Sequence, residues 1–238
     1  MKILAIDSSA ISASAAVMED DKLLGEFFIN TRQTHSQTMM PMVANVLKCT
    51  CVPLSDIDLF AVSAGPGSFT GVRIGVACIK GMAMPEQKPC AGVSTLEAIA
   101  QNLAHLNVTI CAVMDARCGQ VYNALFTTND GKLQRVTEDR AISIDDLTHE
   151  CKNFGEKYTQ PLFLVGDGAK MCYNTTGFQE LNAILPPEHL LYQRASGVAQ
   201  SAFTLYAQGK AVTPAALAPI YLRLPQAERE LKKRQNKE

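Results

Sequence analysis

Apolar positions along this chain come in short unbroken runs more often than in strict alternation. Residues 2–8 (KILAIDS) form one such run, and residues 12–18 (SASAAVM) and 23–30 (LLGEFFIN) form two more, the last two joined by the charged turn EDDK. Runs of this length without a polar face predict strands of a covered sheet. A helical stretch from about Ser36 to Thr50 follows. The strand DLFAVSA (58–64) then leads into a glycine-rich loop that opens a second helix.

The same order is then written again. TICAVMD (109–115), QVYNALFTT (120–128) and KLQRVTE (132–138) read as three strands, with Asn129-Asp130-Gly131 as the hairpin signal between the last two. A helix opened by Ser143 and the segment PLFLVGDGAK (161–170) complete the repeat, so that DLFAVSAGPG and PLFLVGDGAK are equivalent, as are Asp7 and Asp115. Between the halves, Ser94 to Glu97 has the capping-box pattern, and Leu96, Ile99, Ala100 and Leu103 form one apolar helical stripe. The expected fold class is therefore α/β: two related domains, residues 1–108 and 109–225, with a cleft between them. A late helix near 196–208 is expected to pack back on the first domain, and residues 226–238 are expected to be a charged, disordered tail.

Composition adds limits. The chain has 238 residues, 47% of them hydrophobic, enough to fill two cores. A formal net charge of −1 excludes a chain-wide electrostatic grip on nucleic acid and leaves a local basic patch open. The tail carries Arg229, Lys232, Lys233, Arg234 and Lys237, a run that reads as a solvated, frayed end. Eight cysteines without a C-x-x-C pair predict reduced core thiols rather than a disulfide framework or a zinc site. Asp7 cuts the first apolar run too early for a secretory signal, and no run has the length of a membrane span, so a cytoplasmic protein is expected.

The glycine-rich stretch GPGSFTGVRIG (65–75) fails three chemical templates. A Walker loop needs Lys-Ser/Thr after its last glycine, where Val72 and Arg73 stand. Gly65, Gly67 and Gly71 are one residue too widely spaced for a dinucleotide fingerprint. A nucleophile elbow around Ser68 lacks the flanking glycines. The helix it opens has two apolar stripes, Val72, Val76, Ile79 and Ala83 beside Gly71, Gly75, Cys78 and Met82, and the earlier helix is apolar around most of its girth (Met39, Met40, Met42, Val43, Val46, Leu47). Either both helices lie deep in the core, or one face packs on the sheet and the other meets a partner protein. Pro41 places the start of regular helix near Met39 or Met40, or a kink there.

Together, MKILAIDSS, HSQTMMPM (35–42), GPGSFTGVRIG and PIYLR (219–223) resemble the TsaB (YeaZ) family, bacterial proteins of tRNA threonylcarbamoyladenosine biosynthesis. The resemblance runs through most of residues 1–225. It implies an actin-like, Hsp70-like (ribonuclease H-like) two-domain fold and a noncatalytic subunit with no catalytic residue of its own. Its partner would be TsaD, which transfers threonylcarbamoyl from its adenylate to the adenosine beside the anticodon of tRNAs reading ANN codons. TsaE, an ATPase, would join the pair, tRNA would be met through the complex, and the chain would also pair with itself. No cofactor is implied for the lone protein; ATP and Mg²⁺ would belong mainly to partners. The implied partner interface is Met39, Met42, Val43, Val46, Leu47, Val72, Gly75, Val76 and Ile79.

Residue chemistry is read beside that resemblance. TsaD-type relatives hold a metal with H-x-x-x-H, whereas here His35 is followed by Met39, a poor ligand for a hard metal, and no metal site is expected. Actin-like nucleotide sites use Asp-x-Gly where this chain has Asp7-Ser8-Ser9. Nucleotide binding at Asp7, Ser8, Ser9, Gly166, Asp167 and Gly168 is kept as an alternative, and with it an actin-like kinase or metallopeptidase relative acting as a homodimer. His105, His149 and His189 read as surface residues, and Cys118, near Asp115 and Arg117, lacks a histidine partner in sequence.

Overall fold

The computed structural model describes residues 1–157 and 160–223. Among these residues the strands form two sheets. The first has the order β3-β2-β1-β4-β5, from β1 (Lys2–Asp7), β2 (Ala13–Glu19), β3 (Lys22–Ile29), β4 (Leu59–Gly65) and β5 (Cys90–Ser94). The second has the order β10-β6-β7-β8, from β6 (Thr109–Asp115), β7 (Gln120–Asn129), β8 (Lys132–Arg135) and β10 (Leu162–Val165), with β9 (Arg140–Ser143) also on β7. In each sheet the first strand is antiparallel to the second and parallel to the strand that follows the first long helix. A single parallel bridge, Phe163 to Ile184, stands where the first sheet has β5. This is the duplicated actin-like arrangement.

Each sheet is covered on both faces, which is why its strands read as unbroken apolar runs. Leu4 and Ile6 of β1 join Phe60 and Val62 against α1 (His35–Thr50) and α2 (Phe69–Ala83). Ile3 and Ala5, one residue out of phase, face α8 (Ala195–Ala207) through Ala195, Val198, Ala199 and Ala202. On the second sheet, α3 (Thr95–Ala100) lays Leu96, Ile99 and Ala100 on Ile110, Ala112 and Phe126. α4 (Ile144–Lys157) and the short α5 (Ala169–Tyr173) and α6 (Thr176–Glu180) cover its opposite face. A further short helix, α7 (Glu188–Leu191), precedes α8.

α3 and α8 lie between the two sheets and touch directly. A Cβ on Gly197 would stand 2.2 Å from the Ala98 carbonyl oxygen. Glu26 of β3 holds the start of α8, accepting from the Ser196 amide and hydroxyl (2.9 Å each) and from Arg194 (3.0 Å). Ser94 accepts from the Glu97 amide at 3.2 Å as the capping pattern requires, but Glu97 turns its carboxylate to Arg135 (2.9 Å) instead of back to its own cap.

Three expectations need correction. α1 is regular from His35 through Pro41, because Pro41 and Gln37 both lie on the exposed side and the unpaired Gln37 carbonyl faces water. KLQRVTE is strand only to Arg135, after which the chain returns to β7 as β9. The cysteines are not uniformly core thiols: Cys90, Cys111, Cys151 and Cys172 are buried, whereas Cys49, Cys51 and Cys118 are exposed. Burial raises the Cys172 thiol to about 12. The predicted tail at 226–238 lies outside the described residues.

Candidate functional site

The loops that follow β1, β4, β6 and β10 line a cleft of about 690 Å³. Its first-half wall is the turn after β1. Asp7 is fully buried there; one carboxylate oxygen accepts from the Ser9 amide (2.9 Å) and hydroxyl (2.8 Å), the other from the Ser63 hydroxyl. Burial raises its pKa, and these hydrogen bonds oppose the rise. Ser8 donates to the Gly71 carbonyl at 2.8 Å. Of these three residues only Ser9 lines the cleft.

The glycine loop is packed on that turn. Ser68 donates its amide to the Ser9 carbonyl at 2.7 Å, and its hydroxyl caps α2 through the Gly71 amide. A Cβ at Gly71 would lie 2.0 Å from the Ser8 carbonyl oxygen, and one at Gly75 2.6 Å from the Ser8 hydroxyl. Gly71 thus admits a close-approaching backbone and Gly75 the Ser8 side chain, both the chain's own. The Ser68 and Gly71 amides are thus both turned onto protein.

In the second half, Gly166 and Gly168 press on the backbone of Val113 and Met114, leaving Asp167 at the cleft. Asp167 accepts from Gln193 at 3.3 Å; burial raises its pKa to about 6, the Gln193 bond lowering it and the nearby Asp115 adding to the rise. Asp115 accepts from the Arg117 amide at 2.7 Å and pairs with the Arg117 guanidinium at 3.3 Å. The cleft therefore holds two carboxylates and three guanidinium groups, those of Arg32, Arg117 and Arg223.

Sequence reasoning did not find the strap that crosses the mouth of this cleft. Val212 bridges to Cys90, Lys80 donates to the carbonyls of Ala215 and Leu217 (3.0 Å each), and Ile220 donates to Ala64 at 2.7 Å. Arg223 then crosses to the second half and donates to the carbonyls of Ala116 and Arg117. Gly65, at φ +131°, leaves room for Ile220, whose carbonyl oxygen would be 2.2 Å from a Cβ there. Arg73 reaches Tyr221 OH at 2.8 Å and lies over Phe69, whose ring is 4.9 Å from that of Tyr221. The PIYLR stretch was the sequence signal for this strap.

His35 is half-buried at the start of α1. Its Nε2 lies 2.6 Å from the Ala10 carbonyl, so Nε2 carries the proton and ties the start of α1 to the turn after β1. Met39 is fully buried under α1. His105, His149 and His189 are exposed.

The helix faces assigned to a partner are corrected. Met39, Met42, Val43, Val46, Val72, Gly75, Val76 and Ile79 are buried in the chain's own core, and Leu47 is partly buried against it. They face the sheet because the strands beneath present Leu4, Ile6, Phe60 and Val62 to them. What α1 and α2 turn outward is Met40, Pro41, Ala44 and Lys48, and Thr70, Arg73, Ala77 and Gly81, with Ile74 and Cys78 half-buried beside them.

Comparison with known proteins agrees with this architecture. The family model for TsaD, tRNA N6-adenosine threonylcarbamoyltransferase, matches residues 22–230. The chain is 32% identical over 225 residues to the tRNA threonylcarbamoyladenosine biosynthesis protein TsaB of Escherichia coli, covering 94% of this chain and 95% of the relative. It is 37% identical over 168 residues to the protein of the same name in Bacillus subtilis, covering 70% and 72%. A solved structure from Pseudomonas aeruginosa, described as an uncharacterized protein with similarity to peptidase YEAZ, superposes with a TM-score of 0.76 at 24% identity, covering 93% of this chain and 99% of that one.

Proposed function

The chain belongs to the TsaB family of tRNA threonylcarbamoyladenosine biosynthesis proteins, and from that premise we propose that it is the noncatalytic subunit that binds and activates a TsaD-type transferase. The transferase moves threonylcarbamoyl from its adenylate to the adenosine beside the anticodon of tRNAs reading ANN codons. A TsaE-type ATPase joins the pair, nucleotide and metal belong to the partners, and the work is cytoplasmic. Among the described residues no helix is long and apolar enough to cross a membrane.

The outer face of α1 and α2 carries this reading. Both helices cover one face of the first sheet, so Met40, Ala44, Ile74, Ala77, Cys78 and Gly81 lie on one surface, with Lys48, Thr70 and Arg73 as its polar members. The match to the TsaD family model makes the transferase a relative of similar fold. Two related chains can pair through equivalent helices about a pseudo-twofold axis, the geometry that closes a dimer rather than a fibre. The same helices serve a homodimer of this chain when the transferase is absent. The noncatalytic role is supported by the Asp7 carboxylate, the Ser68 amide and His35 Nε2, each bound to the chain's own groups.

Light scattering behind size exclusion, on the chain, its cognate transferase and their mixture, tests the proposal. A Cβ at Gly81 meets nothing within 4 Å, so Gly81→Trp should fold normally and block the docking face. The expected result is a one-to-one species with the wild-type chain and its loss with Gly81→Trp. A wild-type mixture that stays separate, or a Gly81→Trp chain that pairs normally, overturns it.

A further inference from the structure

We propose that the mouth of the cleft binds unpaired RNA, with phosphates on Arg32 and Arg117 and a base on the ring of Tyr221. The idea rests on tRNA being the substrate of the complex proposed above, and adds a direct contact from this chain.

The cationic heads are exposed, and one of the two has no partner among the described residues. Arg32 is exposed and makes no hydrogen bond or ion pair with any described residue. Arg117 is 80% exposed, and its guanidinium has only Asp115 as a partner among those residues. Both sit in left-handed backbone, at φ +58° and +65°, on loops from opposite halves that line one cleft. Arg223 commits its Nη1 to the carbonyls of Ala116 and Arg117, so it fixes the strap at the Arg117 loop.

Carboxylates share the cleft but are held by the chain's own donors. Asp115 is 31% exposed and bound by the Arg117 amide and guanidinium, while Asp167 is partly buried and bound by Gln193. The heads of Arg32 and Arg117 are therefore more exposed to solvent than the carboxylates.

The aromatic platform is preset. Tyr221 is 42% exposed, with Phe69 against its ring and Arg73 on its hydroxyl. Ile11 and Ile220, 49% and 48% exposed, stand beside it in the same lining. Exposed guanidinium groups around an exposed ring and apolar flanks fit a strand with a phosphate and an unstacked base at each step. A free nucleoside monophosphate offers the same chemistry once, so the experiment separates the two.

Fluorescence anisotropy of a labelled, unpaired RNA oligonucleotide should be followed against salt. The titration uses the chain alone and its complex with the transferase, with AMP as competitor. Replacing Arg32 and Arg117 together by Ala should lower the salt slope by about 1.4, at about 0.7 per single-strand contact. Tyr221→Ala should weaken binding about tenfold or more through lost stacking, and Tyr221→Phe, which keeps the ring, should not. Wild-type protein that binds no RNA in either form, or variants that match wild type in slope and affinity, would overturn the proposal. AMP binding as tightly as the oligonucleotide would overturn it too, by making the cleft a mononucleotide site. If the chain and transferase do not associate, the subunit reading fails, and titration of the lone chain still decides this proposal.

Discussion

Val76 and Ala77 are neighbours in α2, and the same substitution should do opposite things to them. Val76 is 4% exposed and packed in the first core; Ala77 points outward. Val76→Glu removes a buried valine worth about 1.5–3 kcal/mol. It also puts a carboxyl among apolar groups with no hydrogen-bond partner, at a further cost of about 2–7 kcal/mol. A total on the order of 5 kcal/mol rivals the whole stability of a domain, about 5–15 kcal/mol. At about 2–4 °C per kcal/mol the melting temperature should fall by about 10 °C or more, if the protein folds at all. Ala77→Glu should stay within about 0.5 kcal/mol of wild type, because that position is exposed. Against a docked partner, however, its desolvated carboxylate should cost about 3 kcal/mol, roughly a hundredfold in Kd. Thermal unfolding followed by circular dichroism, with titration calorimetry against the transferase, separates the two effects. If Ala77→Glu pairs as tightly as wild type, the outer face is not the docking face; if Val76→Glu melts like wild type, the inward assignment of that stripe is wrong.

Two further outcomes concern stability. Gly71→Ala would put a Cβ 2.0 Å from the Ser8 carbonyl oxygen, so α2 must lift from β1; a loss of about 1–3 kcal/mol is expected in denaturant unfolding, and an unchanged midpoint would contradict the close packing. Asp167, raised to about 6 from 3.8 in the unfolded chain, holds its proton more tightly when folded. Its contribution to stability is therefore greatest at low pH, falls as pH rises between about 4 and 6, and is flat above that window. Asp167→Asn removes this term and should stabilise the protein near neutral pH by about 1–3 kcal/mol, with the gap closing below about pH 4; a gap independent of pH would refute the shift.

Much of the site's setting was legible locally. The double pattern of strands, the Ser94 cap, and the equivalence of Asp7 with Asp115 all follow from runs and spacings that act over a few residues. The failure of GPGSFTGVRIG to match any phosphate or nucleophile template was also readable, and in the fold its Gly65 and Gly71 admit close backbone while Gly75 admits the Ser8 hydroxyl. Which stripe of α2 faces inward was not readable, because both stripes are apolar or small and periodicity alone gives them equal claim. Strands from distant parts of the chain, β1 and β4, decided it by presenting Leu4, Ile6, Phe60 and Val62 to one side.

The strap shows the same division more sharply. PIYLR marks a distinctive segment, yet its role depends on Ala64, Arg73, Ala116 and Arg117, which lie 100 to 160 positions away in sequence. Apolar periodicity, capping residues and turn chemistry are short-range properties, so the sequence by itself determined the elements, their duplication and the α/β class. The inward and outward faces of the helices, the sealing of Asp7 by Ser63, and the cleft with its arginines and crossing strap arise from long-range packing. Only the tertiary structure decided those, because each depends on which remote surface each group meets.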